Sequence, residues 1–350
     1  MKASIKKYKL DFKRPSGTSR GILTKKETWF LILENKGQYG IGECGMFKGL
    51  SFDDVPEFEK KLIWVCDNIE KGKVFLWNEL RSFPSIQFGL EQAFLSLGSK
   101  NPFVLFPSDF TKNEAPIPIN GLIWMGEREF MMEQIQQKLE EGFACIKMKI
   151  GAIDFKAEIS LLEAIRKKYS RDQIELRVDA NGAFRPEEAI GKLQVLSIFD
   201  LHSIEQPIKQ GNIKEMKSLC ENTPLPIALD EELIGVVHIT QKEELLQTIK
   251  PQYIILKPSL VGGFKGSSEW ITIADNLGIG WWVTSALESN IGLNAIAQWT
   301  YTLQNPMPQG LGTGRLFSNN FDCPLQVKNG YIYHKNNQGW KADLIADLCL

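Results

Sequence analysis

Six charged side chains recur through the middle of this chain, of the types used for proton transfer and hard-cation binding. Lys147 and Lys149 flank Met148, and Asp179 closes Leu176-Arg177-Val178. Glu205 closes Ser203-Ile204, Asp230 closes Ile227-Ala228-Leu229, and Lys257 closes Ile254-Ile255-Leu256. Each ends a short apolar run of the kind that forms a buried strand, where a charge is out of place. The carboxylates stand 26 and 25 residues apart, about one strand–helix unit each. Two lysines two residues apart on a strand point to one face. Three converging carboxylates repel one another unless an opposite charge joins them. A hard divalent cation supplies it, and all-oxygen ligation points to Mg²⁺, with Mn²⁺ able to substitute. A lysine near such an ion, partly desolvated, is lowered towards the range useful to a general base or acid. The ion itself would favour removal of a proton α to a bound carboxylate.

Taken singly, each residue has a plainer reading. A carboxylate at a strand end commonly caps the next helix. Asp179, before Ala180-Asn181-Gly182, fits a turn, and Lys257 before Pro258 fits a solvated loop. Five strand ends in register, with lysines on either side of the acids, are a different matter.

The elements that must hold these residues can be read from periodicity. Ile5, Tyr8, Leu10 and Phe12 alternate as a strand, and residues 29–33 and 39–43 flank Asn35-Lys36-Gly37 as a hairpin. Helices follow over 53–70 and 85–97, the second with Ile86, Leu90, Phe94 and Leu97 on one face. Strands then helices mark an α+β unit, ending at the linker Lys112-Asn113-Glu114-Ala115-Pro116. Beyond it, strands are expected at 117–120, 145–150, 175–179, 201–205, 226–230, 253–257 and 280–284, with a short eighth near 310–312. Helices such as 154–169, with Phe155, Ile159, Leu162 and Ile165 on one stripe, fill the gaps. Strand–helix alternation of this spacing predicts an α/β fold, a TIM-like (β/α)7β barrel with an N-terminal α+β capping domain. The expected boundaries are 1–114 for the capping domain and 115–321 for the barrel. The tail, 322–350, returns to the capping domain through a strand at Tyr331-Ile332-Tyr333. The C-terminal strand ends of such a barrel form its active-site face.

Composition narrows the function classes. The formal net charge of −1 offers no basic field for nucleic acid and no polybasic membrane patch. No apolar run is long enough to span a bilayer, and the basic N-terminus lacks the apolar core of a signal peptide. Six scattered cysteines without a C-x-x-C pair argue against a zinc knuckle or disulfide framework and for a cytoplasmic protein. The expected partner is a small anionic molecule; the sequence assigns no oligomeric state. Gly262-Gly263-Phe264-Lys265-Gly266 lacks the order of a phosphate loop, and Gly310-x-Gly312-x-Gly314 is not a dinucleotide fingerprint.

Lys147-Met148-Lys149, Val178-Asp179-Ala180-Asn181, Ile204-Glu205-Gln206-Pro207, Leu229-Asp230-Glu231 and Leu256-Lys257-Pro258 together resemble the motif series of the enolase superfamily, muconate-lactonizing subgroup. The resemblance spans nearly the whole chain. It implies metal ligands Asp179, Glu205 and Asp230, acid–base lysines Lys149 and Lys257, and substrate contacts from Lys147 and Asn181. Residues 285–293 and 310–314 resemble the seventh- and eighth-strand motifs of the o-succinylbenzoate synthase branch, adding Ser285, Ser289, Gly312 and Thr313 to the substrate contacts. Arg177 matches an arginine of the same branch. A helix expected from Glu288 would offer its free N–H groups, with Ser285 and Ser289, to a carboxylate; simple helix capping by these serines is the equal alternative. Dipeptide epimerases of the subgroup carry Asp-x-Asp at the last strand, where this chain has Gly312-Thr313-Gly314, which favours an anionic substrate. Residues 15–21 are expected to form a mobile loop over the pocket, with Arg20 read first as exposed surface charge and second as a substrate contact. The resemblance implies a Mg²⁺-dependent carbon–oxygen lyase, the syn-dehydration of 2-succinyl-6-hydroxy-2,4-cyclohexadiene-1-carboxylate to o-succinylbenzoate in menaquinone biosynthesis. The alternative it leaves is racemisation of N-succinylamino acids or dipeptide epimerisation. A non-catalytic barrel would lack ligands that are all present here.

Overall fold

The computed structural model describes residues 1–18, 21–124, 126–151 and 153–349. Its N-terminal part is an antiparallel sheet of β1 (Lys2–Thr18), β2 (Gly21–Asn35) and β3 (Gln38–Cys44). The β2–β3 turn is the two-residue pair Lys36-Gly37, both at positive φ (53° and 79°), with Asn35 opposite Gln38. That is the primed geometry whose twist suits a tight hairpin. Alternation along β2 sends Trp29, Leu31 and Leu33 into one apolar cluster and Phe30 and Ile32 into another, so both faces are covered. The first cluster includes Ile86 and Leu90 of the helix Pro84–Gly98. At Gly42 an added Cβ would lie 1.9 Å from the Gly89 carbonyl, so only glycine lets strand and helix approach this closely.

The second part is a curled sheet of seven parallel strands. After β4 (Ile117–Pro118) come β5 (Gly121–Ile123), β6 (Cys145–Lys149), β7 (Glu175–Asp179) and β8 (Ser203–Glu205). Then follow β9 (Ile227–Leu229), β10 (Tyr253–Leu256) and β11 (Gly280–Val283). Neighbours in the sheet run β5 to β11 in sequence order. Helices cross between them, among them Phe155–Lys168, capped by the Asp154 carboxylate on the N–H groups of Lys156 and Ala157. Leu162 and Ile165 of that helix are buried, and Phe155 and Ile159 are half-buried against the same core.

The structure departs from the sequence expectation at four elements. The first barrel strand does not run over 117–120. Pro118 has no N–H to give a central ladder; β4 pairs with the tail instead, and the parallel sheet begins at Gly121. The eighth strand reduces to single bridges, Thr284 with Gly310 and Ile119 with Gln309, one at each edge of the sheet. The tail strands, β12 (Leu325–Lys328) and β13 (Tyr331–His334), pair with each other and with β4, not with the N-terminal sheet. The terminal helix Leu344–Cys349 does reach that sheet, packing Leu344, Ile345 and Leu348 on Phe30 and Ile32. The long helix expected over 53–70 is shorter, Phe58–Asp67 with a 3₁₀ turn at Ile69–Lys71. Among the described residues no helix is long and apolar enough to cross a membrane.

Candidate active site

Strand register does the placing. Lys149 on β6 lies opposite Asp179 on β7, and Asp179 lies opposite Glu205 on β8. Asp230 and Lys257 are the first residues beyond β9 and β10. All therefore emerge at the C-terminal end of one parallel sheet. Lys147 stands two residues deeper than Lys149, on the same face, while Ile146, Met148 and Ile150 turn into the apolar core.

The charges pair closely. Lys147 Nζ bridges Glu205 Oε2 and Asp179 Oδ2, the latter at 2.9 Å. Lys149 Nζ is 3.0 Å from Asp179 Oδ2 and donates to Asn181 Oδ1 at 2.6 Å. Lys257 Nζ donates to Asp230 Oδ2. Asp179, Glu205 and Asp230 are 1%, 2% and 2% exposed. Burial opposes ionisation of Asp179, but Lys147 and Lys149 outweigh it and hold the carboxyl well below the usual range. Burial, then the charges of Asp179 and Asp230, push Glu205 well above its usual value. Burial would lower Lys147 and Lys257, yet the carboxylates beside them raise both. The lowering expected beside a dication is thus reversed while the lysines themselves neutralise the acids.

Above this floor lies a cavity of about 470 Å³, onto which Lys147, Lys149, Asp179, Asn181 and Lys257 open. Ser285, Gly312 and Thr313 form one side, with the Ser285 and Thr313 hydroxyls 2.7 Å apart. Phe47 and Leu50 reach in from the N-terminal part, and Trp124 and Phe130 from beyond β5. The floor is thus charged, and the walls mix apolar side chains with the basic Lys13, Arg14, Lys138 and Arg315.

Two expected contacts are not brought to this cavity. Arg177 shares the face of Asp179 but sits in the row of Lys147, deeper in the sheet. It is 1% exposed, with its Nε 2.7 Å from Glu175, its Nη1 donating to the Pro308 carbonyl, and its guanidinium 4.3 Å from the centre of the Trp282 ring. Ser289 caps the helix Asn290–Thr302 and donates to Glu43 of the N-terminal sheet. That helix starts at Asn290, not Glu288, because the Glu288 carboxylate folds back onto the Ala286 N–H. The loop expected over 15–21 is in its described part the end of a hairpin: Ser16, Gly17 and Thr18 pair with Leu23, Ile22 and Gly21. Arg20 lies outside the described residues.

Asn181, an expected contact, lines the cavity, and Gln206, to which the sequence assigns no role, joins the site beneath it. Asn181 and Gln206 sit at φ +44° and +39°, strained for non-glycine residues. Asn181 donates to Glu231 Oε1, and Gln206 accepts from the Asp230 and Glu232 N–H groups while donating to Glu232. Gln206 so ties the end of β8 to the end of β9. Its place beside Glu205 was the available clue.

The donor set fits a hard cation in kind: three carboxylates from neighbouring strand ends, with Glu205 Oε1 buried and lacking any hydrogen-bond partner. Among the described residues no three His, Cys, Asp or Glu side chains are drawn together as a ligand group, because each carboxylate leans on a lysine.

Residues 131–346 match the profile of the family described as enolase C-terminal domain-like. The chain is similar to an o-succinylbenzoate synthase of Desulfotalea psychrophila, 48% identical over 363 aligned positions that cover 95% of this chain and 98% of that protein. The crystal structure of MenC from Desulfotalea psychrophila LSv54 superposes with a TM-score of 0.85 at 45% identity, covering 95% of this chain and 99% of that one. A more distant similarity, 28% over 202 residues, covers 57% of the chain and 51% of an L-Ala-D/L-Glu epimerase from Bacillus subtilis.

Proposed function

The chain belongs to the enolase C-terminal domain-like family, and from that premise we propose that it acts as an o-succinylbenzoate synthase, a carbon–oxygen lyase. The observation that carries the reading is the row of Lys149, Asp179 and Glu205 in direct strand register under the cavity, joined to a relative 48% identical along its whole length. The substrate would be 2-succinyl-6-hydroxy-2,4-cyclohexadiene-1-carboxylate, and the reaction a step of menaquinone biosynthesis. The sheet is read as a closed (β/α)7β barrel, supported by hydrogen bonds of Gln309 and Gly310 to both edges: Asn120 N to the Gln309 carbonyl and Gly310 N to the Val283 carbonyl.

Asp179, Glu205 and Asp230 would hold Mg²⁺, or Mn²⁺ in its place, which requires them to leave their lysines. The bound ion supplies positive charge that makes the substrate carboxylate a better acceptor of negative charge from the neighbouring carbon. Lys149 takes the proton from the carbon bearing that carboxylate. The C–O bond to the hydroxyl then breaks on the same face, Lys149 returns the proton, and water leaves. Lys257, on the other flank of the acids, faces the forming ring as a cation over its π system. Lys147 neutralises carboxylate charge from below. Ser285, Thr313 and the Gly312 backbone would orient the succinyl arm, and the small residues of 312–314 leave no acid to hold an ammonium group. The cytoplasmic location belongs to the same proposal, with Cys44, Cys66, Cys145, Cys220 and Cys323 all unpaired.

Two substrates separate this reading from its neighbour within the family. Purified protein with Mg²⁺ is given the cyclohexadiene carboxylate and, separately, N-succinyl amino acids in D₂O. Aromatic product forming at a kcat/KM at least about a hundredfold above deuterium uptake at the α-carbon supports the synthase. Exchange that outruns product formation would assign racemisation instead.

A further inference from the structure

A second buried charge cluster lies where the N-terminal sheet meets the last helices of the parallel sheet. Glu43, at the end of β3, is fully buried and accepts four hydrogen bonds. They come from the Thr28 hydroxyl at 2.8 Å, the Ser289 N–H at 2.9 Å, the Ser289 hydroxyl, and the Gly292 N–H at 2.9 Å. A carboxylate from one unit thus satisfies the open N-terminus of a 13-residue helix in the other. Glu288, also fully buried, accepts from the Ser259 hydroxyl and from the Ala286 N–H at 2.7 Å. Ser259 is two residues beyond Lys257, and Ala286 follows Ser285. Lys26 of β2 completes the group: its ammonium is buried and makes no hydrogen bond, and the charges it feels are those of Glu288 and Glu43. Packing leaves no slack. A Cβ on Gly45 would lie 3.2 Å from Glu288 and 3.7 Å from the Lys26 nitrogen, and one on Gly292 would lie 2.7 Å from Glu43 Oε2.

The two chain segments leaving this cluster are both cavity walls. One is 46–50, carrying Phe47 and Leu50; the other is 284–287, carrying Ser285 and Leu287. Leu287 has φ +60°, a left-handed conformation that a non-glycine residue keeps only when its neighbours hold it. Those neighbours are held on both sides, Ala286 by Glu288 and Ser289 by Glu43.

We propose that Lys26, Glu43 and Glu288 are positioning residues, a buried charge cluster that locks the wall at 285–289 against the wall at 47–50 and so sets how tightly the cavity holds its substrate. The cluster touches no reacting atom, and it acts through Leu287 and Ser285. Burial draws Lys26 below and Glu288 above their ordinary values, each opposing charge only partly offsetting it, which is the mark of a cluster whose charges depend on one another. Removing the ammonium leaves two carboxylates facing one another; removing one carboxyl charge as well restores the original balance.

The kinetic arm rests on the synthase reading, and the structural arm does not. Lys26→Met, Glu288→Gln and the double variant are compared with wild type by steady-state kinetics and by crystal structure. Lys26→Met is expected to raise KM on the order of tenfold while kcat changes less than about threefold, the split of an interaction that acts on binding. Leu287 should relax out of the left-handed region in that variant. The double variant should recover most of the KM and the wild-type Leu287 geometry, since the two losses are coupled and not additive. Gly292→Ala, pressing Glu43 from the helix side, should reproduce the KM rise if Lys26→Met does not fold. Additive losses in the double variant, or Leu287 at positive φ and KM unchanged in Lys26→Met, would overturn the proposal. Absence of turnover in wild type would sink the synthase reading alone, and the Leu287 geometry across the variants would still decide this one.

Discussion

Two buried charge clusters stand at the two ends of the same cavity walls, and they are built on opposite plans. On the floor, Asp179, Glu205 and Asp230 each contact a lysine ammonium directly, and the cluster opens to the cavity. At the seam, Glu43 and Glu288 take only hydroxyl and backbone N–H donors, and Lys26 contacts neither of them within ion-pair distance. The floor is an arrangement of exchangeable partners: a lysine that holds a carboxylate can also release it to a cation or take a proton. The seam is fixed by directional hydrogen bonds to main chain, which no ligand replaces. Chemistry is thus assigned to the cluster with interchangeable charges, and geometry to the one without.

The sharpest break in this comparison comes from the floor. Lys149→Ala should lower kcat by about 10³-fold or more with the fold retained, as measured by turnover and by far-UV circular dichroism. A variant keeping over a tenth of the rate would remove Lys149 as the base. Next is Asp179→Ala, which leaves Lys147 and Lys149 without a shared acceptor. It should abolish turnover and also cost about 3–5 kcal/mol of stability, read from urea unfolding. Ordinary stability with lost activity would mean that the floor pairs contribute nothing to the fold.

A gentler effect belongs to the interface between the two units away from the seam. Glu91 accepts from the Phe264 and Lys265 N–H groups, and burial pushes its carboxyl up to about 7. A carboxyl raised above its unfolded value keeps its proton longer in the folded state. Its share of stability is therefore full below the unfolded pKa and falls as pH rises towards 7, by up to about 1.4 kcal/mol per pH unit. Glu91→Gln should flatten that part of the stability–pH curve between pH 5 and 7, while Asp53, pushed up to about 6, and the other raised carboxyls keep part of the slope. The smallest effect is expected at the surface, where Arg185 meets Glu188 in the open. Arg185→Ala should shift stability by less than about 0.5 kcal/mol in thermal unfolding.

The floor was legible in the sequence because its charges interrupt apolar strands at a regular interval, and register converts that interval into proximity. Asp179 opposite Glu205 follows from two strand ends alone. The seam was not legible. Lys26 and Glu43 look like the ordinary polar positions of alternating strands, and Glu288 looks like the first turn of a helix; only the docking of two units makes them one group. A period of two puts Arg177 on the face of Asp179 but gives direction and not height, and its place in the deeper row of Lys147 is visible only in the sheet register. Pro118 should have told against a continuous first strand, because a residue without an N–H breaks a ladder. The left-handed residues Asn181, Gln206 and Leu287 are no glycines, and part of what surrounds them comes from elsewhere in the chain: Glu231 on Asn181, the Asp230 N–H on Gln206, and Glu43 beside Leu287 at Ser289.

The most direct test of the central claim is the rate at which protein stripped with EDTA, then titrated with Mg²⁺, converts the cyclohexadiene carboxylate to o-succinylbenzoate. The stripped protein should show no turnover, with saturable recovery as Mg²⁺ is added. Turnover that survives EDTA, or none from folded, Mg²⁺-loaded protein, would contradict that claim.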